Sequence, residues 1–468
     1  MGVRNGSNTE PHRSLWLEEA LAGREDAAPL EGPVSAEVAI VGGGYVGLWT
    51  ALRLKQSSPD LDVVVLEADI CGGGASGRNG GFALSWWAKL PSLVKLAGES
   101  GALQVCRESA DAVTELGEFA NANGIDCDYR AGGWLWTART DAQLGAWEGT
   151  VELAERLGAD AFERLSPDEI SRRAGSPQHL AGVLEQTAAT VQPAALARGL
   201  RRVALGQGVR IHEHTVVRRI DRSGMRVETD AGSVEAGKIV IANNAWAASI
   251  RELRRLLVVV SSDIVATEPI PDRLAEIGWT GGECITDCQQ MIDYYRTTRD
   301  GRIAFGKGGW RIAYGGRIPG GFAEDARRAE LVEHDLRLAY PRLADVPVTH
   351  SWSGPIDRSP TGLPLLGHLG GHPDIVYGVG WSGNGVAPSL IGGRILASLA
   401  LDRDDSWARH PLVDQRVAPF PPEPIRFHGA HVVREGVHRK ESAEAAGRRP
   451  SRLAVAVAGL APSGLEDK

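Results

Sequence analysis

The chain is poor in the residues that cross-link proteins or anchor them in membranes. Its 468 residues include five cysteines, Cys71, Cys106, Cys127, Cys284 and Cys288. The count is odd and no C-x-x-C occurs, so a disulfide framework is not expected, and free thiols in a reducing compartment are. No uncharged apolar stretch reaches the length of a membrane span; Leu256 to Val260 reads as a buried strand. Met1 to Glu10 is polar and lacks the apolar segment of a secretory signal. Positive charge is in deficit as well. The formal net charge of −8 argues against a general nucleic-acid or anionic-membrane binder. A cytoplasmic protein without nucleic-acid or membrane partners is expected. His212-Glu213-His214 is the nearest approach to a metal cluster, but alternate residues of a strand share a face, leaving two ligands; no metal is expected.

Glycine, by contrast, is abundant, with 58 residues. Hydrophobic residues at 43% and charged residues at 24% are ordinary globular values. The length exceeds what one core supports, so two or three domains are expected. The apolar run Val38-Ala39-Ile40-Val41 breaks at Gly42-Gly43-Gly44 and restarts as a helix from Tyr45-Val46-Gly47. Gly42, Gly44 and Gly47 occupy the places of a G-x-G-x-x-G turn. Gly42 lets the chain turn, Gly44 admits a pyrophosphate, and Gly47 lets helix and strand pack closely. A second β-run, Val63 to Leu66, ends at Glu67, twenty residues past Gly47, where a carboxylate receives ribose hydroxyls. An adenine dinucleotide, NAD or FAD, is the ligand this unit predicts.

Two further glycine-rich stretches follow. Cys71 to Phe82 contains Gly74-Ala75-Ser76-Gly77-Arg78-Asn79-Gly80-Gly81, a backbone suited to run along something flat and polar, with Ser76, Arg78 and Asn79 as donors. Gly378 to Val386 meets a helix start near Ala387. Three such turns suit FAD, which is long and buried, better than NAD. Between them, Lys238 to Trp246 repeats the design of a buried strand meeting a helix start.

Gly42 to Glu67 followed by G-A-S-G-R-N-G-G resembles the FAD-dependent family of D-amino-acid, glycine and sarcosine oxidases, and within it the γ-glutamylputrescine oxidase branch. The resemblance runs from about Leu15 to Leu412. It implies an α/β fold in which a Rossmann-like FAD-binding domain of glutathione-reductase type is interleaved with an antiparallel-sheet α+β substrate domain. The expected division is a leader over 1–33, FAD-binding segments over 34–90, 181–260 and 351–412, substrate segments over 91–180 and 261–350, and an extension over 413–468. Residues Phe427 to Ala446 read as a helix and the end from Gly447 as mobile.

The resemblance implies FAD held by Gly42, Gly44, Tyr45, Val46, Gly47, Glu67, Ala68, Gly74, Ala75, Ser76, Arg78, Asn79, Gly80 and Gly81. Val216 and Val217 would frame the adenine, and Ala242, Asn243 and Trp246 lie against the dinucleotide. Gly380, Ser382, Gly383, Asn384, Gly385 and Val386 would face the flavin's pyrimidine end, where negative charge develops on reduction. The implied reaction oxidises an amine to an imine, which hydrolyses to an aldehyde, with O2 taken to hydrogen peroxide; a dehydrogenase using a quinone or carrier, and an amino-acid oxidase, are the alternatives. A cation beside the ring would assist oxygen, and Arg78 and Lys307 are the candidates. Phe82, Tyr295, Trp310, Trp352 and Trp381 are the expected substrate walls. Cys71, Cys284 and Cys288 are loosely placed for a covalent link to the cofactor. Relatives that oxidise α-amino acids hold the carboxylate with an arginine shortly after W-x-G. Counted without a gap from Trp352 to Pro364, that position is Ile356. Arg358, two residues on, is expected to point elsewhere, and Arg296 is the remaining candidate for an acid. An amine without an α-carboxylate is therefore the expected substrate.

Overall fold

A computed structural model describes residues 12–23, 25–319 and 322–461, the side chain of Trp310 excepted. Two eight-stranded sheets organise it. The first is built on the strand Gly32–Val41, whose last four residues are fully buried. It lies between Gly232–Ile241 and Val63–Leu66, parallel to both. Helices cover both faces of such a sheet, which is why its central strands read as unbroken apolar runs. The order continues through Ile375–Val379 to Leu365–His368 on one side and to Arg210–His212 on the other. The hairpin of Val217–Asp221 and Arg226–Thr229 adds to it antiparallel.

The turn from Gly32–Val41 into the helix Tyr45–Ser57 is as tight as its glycines allow. Gly42 has φ of 115°, and a Cβ on Gly47 would stand 2.0 Å from the Gly42 carbonyl oxygen. The same helix crosses Ser389–Ala400 at Gly393, where a Cβ would approach Trp49 Cβ to 2.6 Å. The two glycine-rich helix starts, more than three hundred residues apart in sequence, thus begin side by side.

The second sheet runs Val348–Arg358, Val258–Thr267, Ile303–Ile312, Asp293–Thr297, Cys284–Asp287, Trp134–Ala138, Ala181–Glu185 and Glu163–Leu165. All its pairings are antiparallel except Cys284–Asp287 with Trp134–Ala138. One face packs Tyr295, Phe305, Trp279 and Tyr340 against the helix Ala326–Ala339. Because Ala181–Glu185 and Val348–Arg358 belong here, the sheets do not divide the chain at 181 and 351 as expected. After Gly132-Gly133 the strand Trp134–Ala138 forms, and Arg130 makes an isolated bridge to Thr190. Leu90–Ala122 supplies the long helix of the intervening segment, and Ser166 Oγ caps Pro167–Ala174 by accepting the Glu169 N–H.

Both ends of the described chain are tied to the body. Trp16, in the helix Leu15–Leu21, donates its Nε1–H to the Asn79 carbonyl at 3.0 Å and meets Trp352 edge-on. The extension forms Ile425–Ala445, and the stretch expected to be mobile contains a second helix, Arg452–Ala458. The short helix is held because Gly436 lets Val457 close in, and because Ala458 and Val437 pack with Met291, in the turn between Cys284–Asp287 and Asp293–Thr297. Glu423 accepts the Gly315 N–H and Arg426 donates to the Leu257 carbonyl, which ties the extension to segments flanking the second sheet. Among the described residues no helix is long and apolar enough to cross a membrane.

Candidate active site

Between the sheets lies one cavity of about 920 Å³, and it joins all three glycine-rich stretches. At one end the wall is backbone. Gly42, Gly44, Tyr45, Val46, Glu67, Ala68, Val216, Val217, Ala242, Asn243 and Trp246 line it. Gly43 N–H donates to Glu67 Oε2 at 2.7 Å and Asp69 N–H to Oε1 at 3.0 Å, which aims the carboxylate across the turn. Burial, against those two donors, pushes the Glu67 carboxyl up to about 7. Ser76 Oγ accepts the Tyr45 N–H at 2.9 Å and so joins the second glycine stretch to the first helix start.

At the other end the wall is side chain. Phe82 and Tyr294 meet edge-on with ring centres 5.9 Å apart. Tyr294 OH and Ser262 Oγ lie 2.6 Å apart, and the ring lies across Gly306, where a Cβ would stand 2.2 Å from Cζ. Trp134 donates its Nε1–H to Thr286 Oγ1 at 3.0 Å. Leu84, Ile292 and Ile356 complete the apolar lining, with Lys89 a buried cation on the same wall. No histidine and no cysteine lines the cavity among the described residues. Its carboxylates are Glu67, Asp69 and Asp357. Asp69 pairs with Arg13. Asp357 accepts N–H groups of Gly380, Trp381 and the Asn244 side chain, and burial raises it to about 7.

Most of the residues expected from the sequence converge here. Gly74, Ala75, Ser76, Arg78, Asn79, Gly80, Phe82, Ser382, Gly383, Asn384, Gly385 and Val386 all line the cavity. Gly47, Gly81 and Gly380 stand behind the lining and set the turns. Arg78 touches the cavity, but its guanidinium donates to the carbonyls of Gly73, His12 and Ser353. It clamps the glycine loop to the second sheet, and burial lowers its pKa to about 10.

Several expectations are corrected. Lys307 does not line the cavity; its Nζ is buried against Asp293 at 2.7 Å and Asp335 at 3.0 Å. Tyr295 faces the opposite side of its strand, stacked on Phe305 and bonded to His179, while its neighbour Tyr294 takes the cavity side. Trp352 is enclosed, donating to the Arg78 carbonyl at 2.9 Å. Trp381 reaches the cavity but rests its ring over Gly392. Trp310's side chain lies outside the described residues. Arg296 does not line the cavity; its Nη1 donates to the carbonyls of Gly81 and Val191. Arg358, expected to point away, lines the cavity together with Ile356, because residues i and i+2 of a strand share a face. Trp134, Tyr294 and Thr286 were missed because only strand parity and pairing bring them to this wall, and Lys89, which ends the short helix Trp87–Lys89, was missed with them.

The site fits a flavin dinucleotide on three counts. The cavity is continuous from Glu67 at the first glycine turn to the aromatic chamber. A Cβ on Gly74 would close to 3.4 Å of Trp246 and one on Gly44 to 3.0 Å of Ser76 Oγ, so glycine keeps that groove open. Asn243 Oδ1, Asn384 Oδ1 and Trp381 Nε1, all on lining residues, are buried without a hydrogen-bond partner among the described residues. Orphaned polar atoms of this kind point to a polar ligand.

Comparison with known proteins agrees with the geometry. The family model "DAO: FAD dependent oxidoreductase" matches residues 37–399. The chain is 32% identical over 388 residues to Gamma-glutamylputrescine oxidoreductase of Escherichia coli (strain K12), covering 81% of this chain and 87% of that protein. It is 28% identical over 408 residues to Glycine oxidase of Pseudomonas aeruginosa, covering 83% and 99%. The crystal structure of glycine oxidase from Geobacillus kaustophilus has the same fold, with a TM-score of 0.64 at 20% identity, covering 82% of this chain and all of that one. The chain belongs to the DAO family of FAD-dependent oxidoreductases.

Proposed function

We propose that the protein oxidises the C–N bond of a small primary or secondary amine to an imine, which water converts to an aldehyde, with O2 as electron acceptor and hydrogen peroxide as by-product. The observation that carries this reading is the chamber itself: an aromatic and aliphatic pocket continuous with the dinucleotide groove and without a free carboxylate. FAD, when bound, supplies the acceptor for the hydride leaving the carbon next to nitrogen. Phe82, Tyr294 and Trp134 exclude water and hold the methylene groups in one orientation. Lys89 and Arg358 on the walls disfavour an ammonium ion, so the amine is bound neutral, the form that can lose hydride. No protein base is needed for that step, consistent with a cavity lacking histidine. Lys89, buried on the wall, provides positive potential for the charge that oxygen gains. The gamma-glutamylputrescine and glycine named for the relatives are both amines, which supports the class of donor. The five cysteines form no disulfide among the described residues, which suits a cytoplasmic setting.

Anaerobic mixing of the yellow protein with a panel of polyamines, N-methyl amines and amino acids tests the proposal. At least one amine is expected to bleach the flavin, and admitting air should restore it with peroxide formed. Bleaching by none rejects amine oxidation. A reduced state that persists in air but reoxidises with a quinone rejects oxygen.

A further inference from the structure

The extension from 413 onward lies beyond the stretch matched by the family model, and its long helix touches the frame of the cavity at two places. Near the start of that helix, Glu423 accepts the Gly315 N–H at 2.9 Å, and Phe427 meets Tyr314 edge-on with ring centres 5.3 Å apart. Arg426 donates to the carbonyls of Arg254 and Leu257. Arg254 and the run Gly315 to Pro319 line the cavity. A rise of about 1.5 Å per residue carries the helix roughly 25 Å from Ile425 to Glu441. There one carboxylate oxygen, Glu441 Oε1, accepts the N–H groups of both Gln290 and Met291, at 2.5 and 3.2 Å. Those two belong to the turn Cys288 to Ile292, which joins the strands Cys284–Asp287 and Asp293–Thr297. Val437 and Ala458 of the extension pack on Met291 in a small cluster of their own.

The turn matters because the hairpin it closes supplies one wall of the chamber. Thr286 and Tyr294, paired across the two strands, and Ile292 at the turn all line the cavity. Ile292 lies over Gly308, where a Cβ would stand 3.7 Å from its Cγ2. From within, the turn is held by Gln289, which donates to Asp287 and accepts from Lys307 Nζ at 3.4 Å. From outside it is held by Glu441. Two successive N–H groups converging on one carboxylate oxygen make a charge-assisted contact, stronger than an ordinary backbone bond. We infer that Glu441 is a positioning residue for the amine site: through the turn it fixes Ile292 and Tyr294, and the extension is thereby part of the chamber's construction. The inference rests on the amine-oxidising reading for what the chamber holds, and adds to it a residue outside the family pattern.

The test uses the flavin-loaded full chain as wild type, Glu441→Leu, Glu441→Gln and Arg439→Leu. Arg439 pairs with Glu435 on the exposed side of the same helix, so its variant controls for disturbance of the helix itself. Amide hydrogen exchange over 286–297 should be at least about fivefold faster in Glu441→Leu, partly recovered in Glu441→Gln, which keeps an acceptor oxygen, and unchanged in Arg439→Leu. For hexylamine, Glu441→Leu should raise KM at least about fivefold and leave kcat per bound flavin within about twofold, because an apolar wall binds ground and transition states alike. A merely loosened fold would lower flavin content and not raise KM. Unchanged exchange overturns the inference, and so does faster exchange with KM unchanged, or an Arg439→Leu variant that matches Glu441→Leu. If the wild type does not oxidise hexylamine, the visible band of the bound flavin decides instead. Its shoulders blur as water enters, so blurring in Glu441→Leu but not in Arg439→Leu upholds the inference, and an unaltered band rejects it. The band and the exchange need no turnover, which separates failure of this inference from failure of the proposed reaction.

Discussion

At the dinucleotide end of the cavity the walls are backbone, and at the chamber end they are side chains. Gly42, Gly44 and Gly74 line the groove by having nothing to put there, and a methyl at any of them would meet atoms within 3.5 Å. The chamber is made by Phe82, Trp134, Tyr294 and Ile356, from four separate strands. A backbone groove recognises what every member of a cofactor class shares, a phosphate chain and a ribose. A wall of side chains can change its occupant by changing one residue. The difference teaches where the two kinds of mutation should act: on whether flavin is held at all, or on which amine is turned over.

The largest effect is expected at the groove. Gly44→Val should yield a folded protein with less than about a tenth of the normal flavin, because the branched side chain fills the phosphate's space. Absorbance at the flavin band against protein content measures it, and a fully yellow variant would break the contrast between the two ends. Tyr294→Ala should do the reverse. Flavin content is expected to stay normal while kcat/KM for the best amine falls by about tenfold or more, the cost of losing one aromatic wall. Steady-state kinetics of the fully loaded variant decide the matter, and flavin loss there would show that the chamber also holds the cofactor.

The smallest expected effect lies behind the chamber. Glu185 is fully buried, with Oε1 accepting from Ser85 and Thr187 and Oε2 unpartnered. Burial holds its proton up to about pH 7, whereas an exposed glutamate releases it near 4.5. Between those values the folded chain binds more protons than the unfolded one, so stability falls as pH rises through the window. Glu185→Gln keeps the Oε1 acceptor and removes this loss. Relative to wild type it should gain about 1–3 kcal/mol on going from pH 4.5 to pH 8. Urea denaturation at the two pH values reads the difference, and an unchanged one would mean that the carboxyl is not buried in solution. Glu67 and Asp357, also raised to about 7, give the wild type part of the same slope.

The groove was legible from residues alone because each of its parts is local. Gly42, Gly44 and Gly47 act through their own φ and their missing Cβ, and Glu67 follows on the next strand of the same unit. The chamber was not. Of two adjacent tyrosines, Tyr294 faces the cavity and Tyr295 the core, and only the pairing of Tyr294 with Gly306, which leaves room for the ring, settles which. Lys307 looked free in a glycine-rich segment and is instead surrounded by Asp293 and Asp335, the latter on a helix that packs over the sheet. Arg358 was judged by its distance from a family position, although strand parity gives it the same face as Ile356.

The sequence by itself determined that this chain folds a strand, a glycine turn and a helix around a dinucleotide, and that two more glycine-rich stretches are fashioned for the same long ligand. Those outcomes rest on backbone conformation, which each residue carries with it. The tertiary structure decided which aromatic rings form the chamber and which cations are neutralised. Side-chain facing depends on strand register and on partners hundreds of residues away, and a single step of register reverses every face.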